Sequence, residues 1–228
     1  MQTAILILAA GKGTRMKSEI PKVLHEIAGA PLLVHCMKTA QKIEPKHLII
    51  VAGHGSEDVT KTARTYAPDS QIVTQSPQLG TAHAVAQSRE ILSGFEGDLI
   101  ILYGDTPFIR SETLGKLAQA RQKSDLVVLG FQANDPGRYG RLVTSGTDLL
   151  EIVEYKEANA AQKDIKLCNS GVLAGPAQLI FQLIEQVETS NNAGELYLTD
   201  CIALARVAGK SAGVVTCPEA ETLGVNSR

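Results

Sequence analysis

Five apolar runs of strand length restrict the fold of this chain more than any other feature: residues 4–9, 48–52, 71–74, 99–103 and 126–131. None alternates apolar with polar, as a half-exposed strand does. A strand that is apolar throughout must be covered on both faces. Helical patterns lie between the runs. Leu33, Cys36, Met37 and Ala40 form one stripe, and residues 57–66 read as a short helix. Ala82, Val85, Ala86 and Arg89 continue another after Gly80-Thr81. Ser111 is the expected N-cap of a helix through Leu114 and Leu117. Strands alternating with helices imply an α/β fold: three layers around a Rossmann-like, mixed, mostly parallel sheet.

After Phe131 the rhythm changes. Turn signals at 134–137 and 145–148 flank expected strands at 141–144 and 149–155, an antiparallel or mixed extension of the sheet. Leu179, Ile180, Leu183, Ile184 and Val187 mark one helix, and residues 198–208 a second. A last strand at 212–216 precedes the tail 219–228. No repeat, low-complexity stretch or linker interrupts the 228 residues, so a single domain is expected.

Charge and cysteine usage narrow the function. A formal net charge of −2 lacks the basic field that a nucleic-acid polymer demands, so local groups must hold any anionic ligand. Cys36, Cys168, Cys201 and Cys217 show no metal-ligand spacing and read as small buried residues of a reducing compartment. The apolar start, residues 1–10, has no positive segment before it and is too short to span a membrane. It reads as a first strand, the protein as cytoplasmic, with no membrane partner.

The first strand runs into Leu8-Ala9-Ala10-Gly11-Lys12-Gly13-Thr14-Arg15-Met16. Two glycines allow a tight turn, and exposed N–H groups in such a turn form an anion nest. Lys12 and Arg15 add charge, and in open α/β sheets ligands bind beyond the carboxyl ends of the strands. Met16 stands where a dinucleotide fingerprint needs its third glycine, and no Walker loop is present. On these residues alone, an anion site and a plain strand turn remain equally open. Pro21-Lys22 follows; Lys22 could reach back to bound phosphates as a point charge, although a single lysine ordinarily reads as a solvated surface group.

The loop and its spacing to Pro21-Lys22 resemble the sugar nucleotidyltransferase signature L-A-A-G-x-G-T-R-M-x-x-x-x-P-K. The likeness runs from Ala4 to Arg228. It is greatest to the uridylyltransferase half of bifunctional uridylyltransferase/acetyltransferases, whose fold is of the nucleotide-diphospho-sugar transferase type. The resemblance implies that Leu8, Ala9, Ala10, Gly11, Gly13 and Arg15 cradle a triphosphate. Arg15 and Lys22 would be catalytic. Gln75-Ser76-Pro77-Gln78-Leu79-Gly80-Thr81 is similar to a uracil-reading stretch, with Gln75, Gly80 and Thr81 on the base. Tyr103, Gly104 and Asp105 form the Y-G-D turn, with Asp105 a magnesium ligand.

Residues 134–141 resemble the family's D-P-x-x-Y-G-R turn, and 152–156 its I-V-E-x-K strand. Gly140, Glu154 and Asn169 would hold the sugar. Residues 192–200 resemble a further family segment, with Ala193 where Gln is usual. In the Gly224-Val225-Asn226 ending, Asn226 would touch substrate and be the second magnesium ligand. The resemblance divides the domain into a nucleotide part at about 1–110 and a sugar part at about 111–228, with no β-helix domain and no acetyltransferase activity.

The implied reaction is magnesium-dependent transfer of UMP from UTP to N-acetylglucosamine 1-phosphate, both small molecules. Oligomeric state is left open. The alternatives are a related transferase using another base or sugar, and a catalytically silent nucleotide-sugar-binding module.

Overall fold

The computed structural model describes residues 2–13, 16–189, 191 and 194–225. Arg15 and Asn226 therefore lie outside the described residues. In chain order the strands are β1 (Thr3–Ala9), the paired dipeptides β2 (Glu26–Ile27) and β3 (Ala30–Pro31), β4 (His47–Ala52), β5 (Gln71–Thr74) and β6 (Asp98–Tyr103). They continue as β7 (Leu126–Gln132), β8 (Arg141–Ser145), β9 (Asp148–Val153), β10 (Leu167–Pro176) and β11 (Ala212–Cys217). The helices are α1 (Leu32–Gln41), α2 (Ser56–Tyr66), α3 (Thr81–Ala86), α4 (Ser111–Ala120), α5 (Ala160–Lys163), α6 (Ala177–Ile184) and α7 (Asp200–Val207).

Nine strands form the main sheet in the order β5-β4-β1-β6-β10-β7-β11-β9-β8. β5, β4, β1 and β6 are parallel, and β7 and β11 run with them. Only β10 and β9 run against the rest. The sheet is thus mixed and mostly parallel, as the apolar runs imply. β1 shows why those runs do not alternate. Ala4, Leu6 and Leu8 face one core with α3, α6 and α7. Ile5 and Ile7 face the other with α1, α2 and α4. Each Leu or Ile buried there contributes about 1.5–3 kcal/mol of transfer free energy.

Three local expectations need correction, and one strand has no counterpart among the expected elements. β10 carries Asn169, Gly171, Gly175 and Pro176, a composition without strand signal, yet it fills the centre of the sheet between β6 and β7. A register shift between Asn169 and Leu173 interrupts its ladder. Ser111 is the first residue of α4 rather than its cap. The N-cap is Arg110, without a side-chain cap. The helix start is served from afar: the buried Glu221 carboxylate accepts from Arg110 N–H (3.2 Å) and Thr113 Oγ1 (2.6 Å). Arg89 falls beyond α3. There Ser88 Oγ donates to the Val85 carbonyl (2.7 Å), and the chain continues in turns. β9 ends at Val153, so Glu154 stands just past the strand, its carbonyl accepting from Glu157 N–H (2.9 Å).

All four cysteines are free. Cys36, Cys168 and Cys201 are buried, and burial pushes the Cys36 and Cys201 thiols up to about 12. Among the described residues no helix is long and apolar enough to cross a membrane.

Glu221→Ala should lower stability by about 1–3 kcal/mol, because it orphans a buried hydroxyl and the N–H of the α4 N-cap. Chemical denaturation should show a lower midpoint at unchanged slope. An unchanged midpoint would mean that solvent serves those donors equally well.

Candidate active site

The site begins with one register. Leu8 of β1 pairs with Tyr103 of β6 in parallel, and Gly104 N–H continues the ladder to the Leu8 carbonyl (2.9 Å). Loop 10–13 and the 103–105 turn therefore leave the sheet side by side. Lys22 Nζ makes an ion pair with Asp105 Oδ2 between them, both side chains being mostly sheltered.

Two glycines bring Lys22 there. Gly13 has φ +58°, and a Cβ on it would overlap Lys22 Cβ. Gly55, with φ +65°, leaves room for the Pro21 ring. Gly55 gave no signal in the sequence, because its contact is made across the fold.

A cavity of about 290 Å³ opens over these strand ends. Leu8, Ala10, Gly11, Lys22, Gln75, Gly80, Thr81, Tyr103 and Asp105 line it. Ala9, Gly13 and Gly104 flank it instead. Ala9 packs into the core beneath, and Gly104 fits against Val23 and the Leu8 carbonyl. Gln78 and Glu195 also line the cavity and were not foreseen as site residues. Gln78 Nε2 donates to the Ala10 carbonyl, a contact no local pattern announces.

Gln75, also on the cavity wall, is buried. Its Nε2 donates to the Gly80 carbonyl (2.9 Å) and lies 3.2 Å from His83 Nδ1. Gly80, at φ +118°, is irreplaceable on steric grounds: an added Cβ would sit 2.5 Å from the Leu196 carbonyl oxygen. Leu196 in turn brackets the turn, donating to Leu79 O (2.8 Å) and accepting from Ala82 N–H (2.9 Å).

A second group meets behind Tyr103. An added Cβ at Gly140 would lie 3.5 Å from Glu154 Oε2 and 3.6 Å from Asn169 Cβ, so these three residues converge. Asn169 N–H donates to the Gly140 carbonyl, and Asn169 Oδ1 accepts from Gly171 N–H, both at 2.9 Å. Glu154 Oε1 accepts from Thr199 Oγ1 (3.3 Å). Tyr103 lines both the main cavity and a smaller one that Asn169, Ile152 and Thr199 share.

Burial is the largest cause of the raised Glu154 pKa. The Thr199 hydroxyl opposes it and the Asp200 charge adds to it. The Tyr103 hydroxyl is also held above its usual range, first by burial and then by the Glu154 and Asp105 charges. It stays a neutral donor.

Could this site hold a metal ion? Among the described residues no three His, Cys, Asp or Glu side chains gather to hold one. Asp105 and Glu195 are the two carboxylates on the cavity wall, and Asp105 is the one that Lys22 contacts. That donor set does not suit a cation caged by protein alone. It fits a divalent ion that arrives with phosphate oxygens and water as its other ligands. Val225 N–H donates to the Asp105 carbonyl (3.1 Å), so the described tail reaches this turn.

Solved structures share this architecture at low identity. The inositol-1-phosphate CTP transferase from T. maritima superposes with a TM-score of 0.76 at 17% identity, covering 96% of this chain and 86% of that one. A UDP-glucose pyrophosphorylase complexed with UDP-glucose gives 0.72 at 19% identity, covering 94% of this chain and 90% of that one. The fold is therefore an α/β nucleotidyltransferase fold, with its cavity at the carboxyl ends of the strands.

Sequence comparison specifies the family. The MobA-like NTP transferase domain matches residues 5–169, and the chain belongs to that family. Curated relatives called Bifunctional protein GlmU are 54% identical over 228 residues in Ruegeria pomeroyi and 53% identical over 225 residues in Cereibacter sphaeroides. These alignments cover 100% and 99% of this chain but 51% and 50% of the relatives, so the chain spans about half their length.

Glu154 yields a pH test. A carboxylate whose folded pKa is raised binds its proton more tightly in the fold, so its contribution to stability falls as pH rises above the ordinary glutamate range. Glu154→Gln should therefore melt higher than wild type at neutral pH, the two converging in acid. A lower melting temperature at neutral pH would show that the ionised carboxylate stabilises the fold.

Proposed function

We propose that this chain transfers UMP from UTP to N-acetylglucosamine 1-phosphate, releasing pyrophosphate and UDP-N-acetylglucosamine, with magnesium as cofactor. One observation carries the reading. Tyr103 lines both the main cavity and the small space beside Asn169, and Lys22 and Asp105 form their ion pair on the wall of the main cavity. A base on one side and a sugar on the other would meet phosphate-to-phosphate there. The relatives' name and the nucleotide-sugar in a structural neighbour support the same class of chemistry.

In this reading the chain is one domain. Residues at about 1–110 bind nucleotide, and those at about 111–228 bind sugar. Gln75, Gly80 and Thr81 face uracil. The amide supplies both donor and acceptor to a pyrimidine edge. Gly140, Glu154 and Asn169 hold sugar hydroxyls, and Leu8, Ala10, Gly11 and Arg15 receive the triphosphate.

A phosphate oxygen of the sugar 1-phosphate attacks the α-phosphorus in line, and the bond to pyrophosphate breaks. The nucleophile needs no general base, since a phosphate monoester has its second pKa near ~6. Arg15 and Lys22 offset charge on the phosphates, and the site acts mainly by positioning and electrostatics. Asp105 and Asn226 would hold magnesium, which neutralises and orients the phosphate oxygens when bound. The partners are small molecules, and the protein works in the cytoplasm without nucleic acid or membrane.

Pyrophosphate release checks this directly, with UTP compared against other triphosphates and sugar phosphates, and with a chelator control. Release should need UTP, the sugar phosphate and magnesium together. Lys22→Ala should cut turnover roughly a hundredfold or more, and Asp105→Ala should abolish it in a folded protein. Preference for another triphosphate would change the assigned base. Unimpaired Asp105→Ala at saturating magnesium would remove Asp105 from the machinery.

A further inference from the structure

We propose that Arg141 is a positioning residue for the sugar phosphate: its buried guanidinium sets the turn that carries Gly140. The proposal rests on the reading of Gly140, Glu154 and Asn169 as the sugar side of the site. It concerns a residue that touches neither cavity.

Arg141 is only 2% exposed and is the largest fully buried side chain among the described residues. A buried cation ordinarily sits against a carboxylate. Among the described residues Arg141 makes no ion pair. Its donors end on backbone oxygens instead. Nε and Nη2 both reach the Lys163 carbonyl at 3.3 Å. Nη1 reaches Pro136 O (3.3 Å) and also Tyr139 O, and Nη2 reaches Gly137 O (3.1 Å). The Tyr155 ring lies alongside, its centroid 5.8 Å from the guanidinium carbon.

The turn at 136–139 and the end of α5 thus replace water around this charge. Moving either strands a buried cation, and moving the cation strands several carbonyls. The guanidinium and the turn therefore hold one conformation together. What the turn delivers is Gly140, whose carbonyl accepts from Asn169 N–H and whose α-carbon faces Glu154. Arg141 is also the register partner of Cys168, next to Asn169. Any shift of the turn is passed to two residues of the sugar side and to none that line the base side.

Lysine keeps the charge but is a point donor on a flexible stem, and cannot span carbonyls at 136, 137, 139 and 163 together. Arg141→Lys is the informative variant. Asp135→Ala is its companion. Asp135 is exposed and accepts Gly137 N–H (3.0 Å), so its loss loosens the same turn without opening the core.

Pyrophosphate release should be measured with each substrate varied in turn. In Arg141→Lys the KM for N-acetylglucosamine 1-phosphate should rise about tenfold, equivalent to ~1.4 kcal/mol. The KM for UTP should stay within about twofold, since uniform binding on the base side is untouched. Asp135→Ala should show the same split to a smaller degree, and decides alone if Arg141→Lys does not fold. Two KM values that move together, or neither moving, would overturn the proposal while leaving the assigned reaction intact. Absence of transfer by the wild-type protein would overturn the assigned reaction and this inference with it.

Discussion

The pairing of Leu8 with Tyr103 governs the rest of the molecule. These residues end two adjacent parallel strands, and Gly104 N–H bonds back to the Leu8 carbonyl. Both strands are covered on both faces, so they cannot slide without exposing Leu6 on one side or Ile7 on the other. That fixed end is where a glycine-rich loop and an acidic turn leave the sheet together. Lys22 meets Asp105 only because Gly13 and Gly55 let the intervening chain pass close by. A site supported this way inherits the rigidity of the core beneath it.

The two sides of the crevice divide their charges. On the side proposed for the phosphates, Lys22 is ion-paired with Asp105. The side proposed for the sugar has Glu154 and Asp200, whose carboxyl pKa values are both raised, chiefly by burial. Carboxylates that accept hydrogen bonds suit hydroxyl groups, whereas ammonium groups suit phosphates. Tyr103 stands between as a neutral hydroxyl, held so by burial and by the acids on either side. A ligand with a sugar at one end and phosphates in the middle matches this gradient.

The parts that were legible in the sequence carry their signal locally. The continuous apolar runs reveal the doubly covered sheet, and Gly11, Gln75 and Asp105 follow strand ends that those runs locate, whereas the roles of Lys22 and Gly80 rest on the motif resemblance. The illegible parts depend on distant partners. β10 mixes Asn169, Gly171, Gly175 and Pro176 with Leu, Cys, Val and Ala, and it pairs with β6 and β7 in the middle of the sheet. α4 is capped by a carboxylate 108 residues beyond Thr113. Gln78 and Gly55 act through contacts with Ala10 and Pro21 that no spacing rule anticipates. Arg141 reads as an ordinary strand charge until its burial is known.

The central claim is that one crevice seats a nucleotide and a sugar on opposite sides of the Lys22–Asp105 junction. A crystal structure with UDP-N-acetylglucosamine, soaked with manganese in place of magnesium, tests it most directly. The uracil should lie against Gln75 and Gly80 and the sugar against Gly140, Glu154 and Asn169, with the anomalous peak on Asp105. A nucleotide-sugar seated elsewhere on the molecule, or a metal peak away from Asp105 with the product in place, would contradict it.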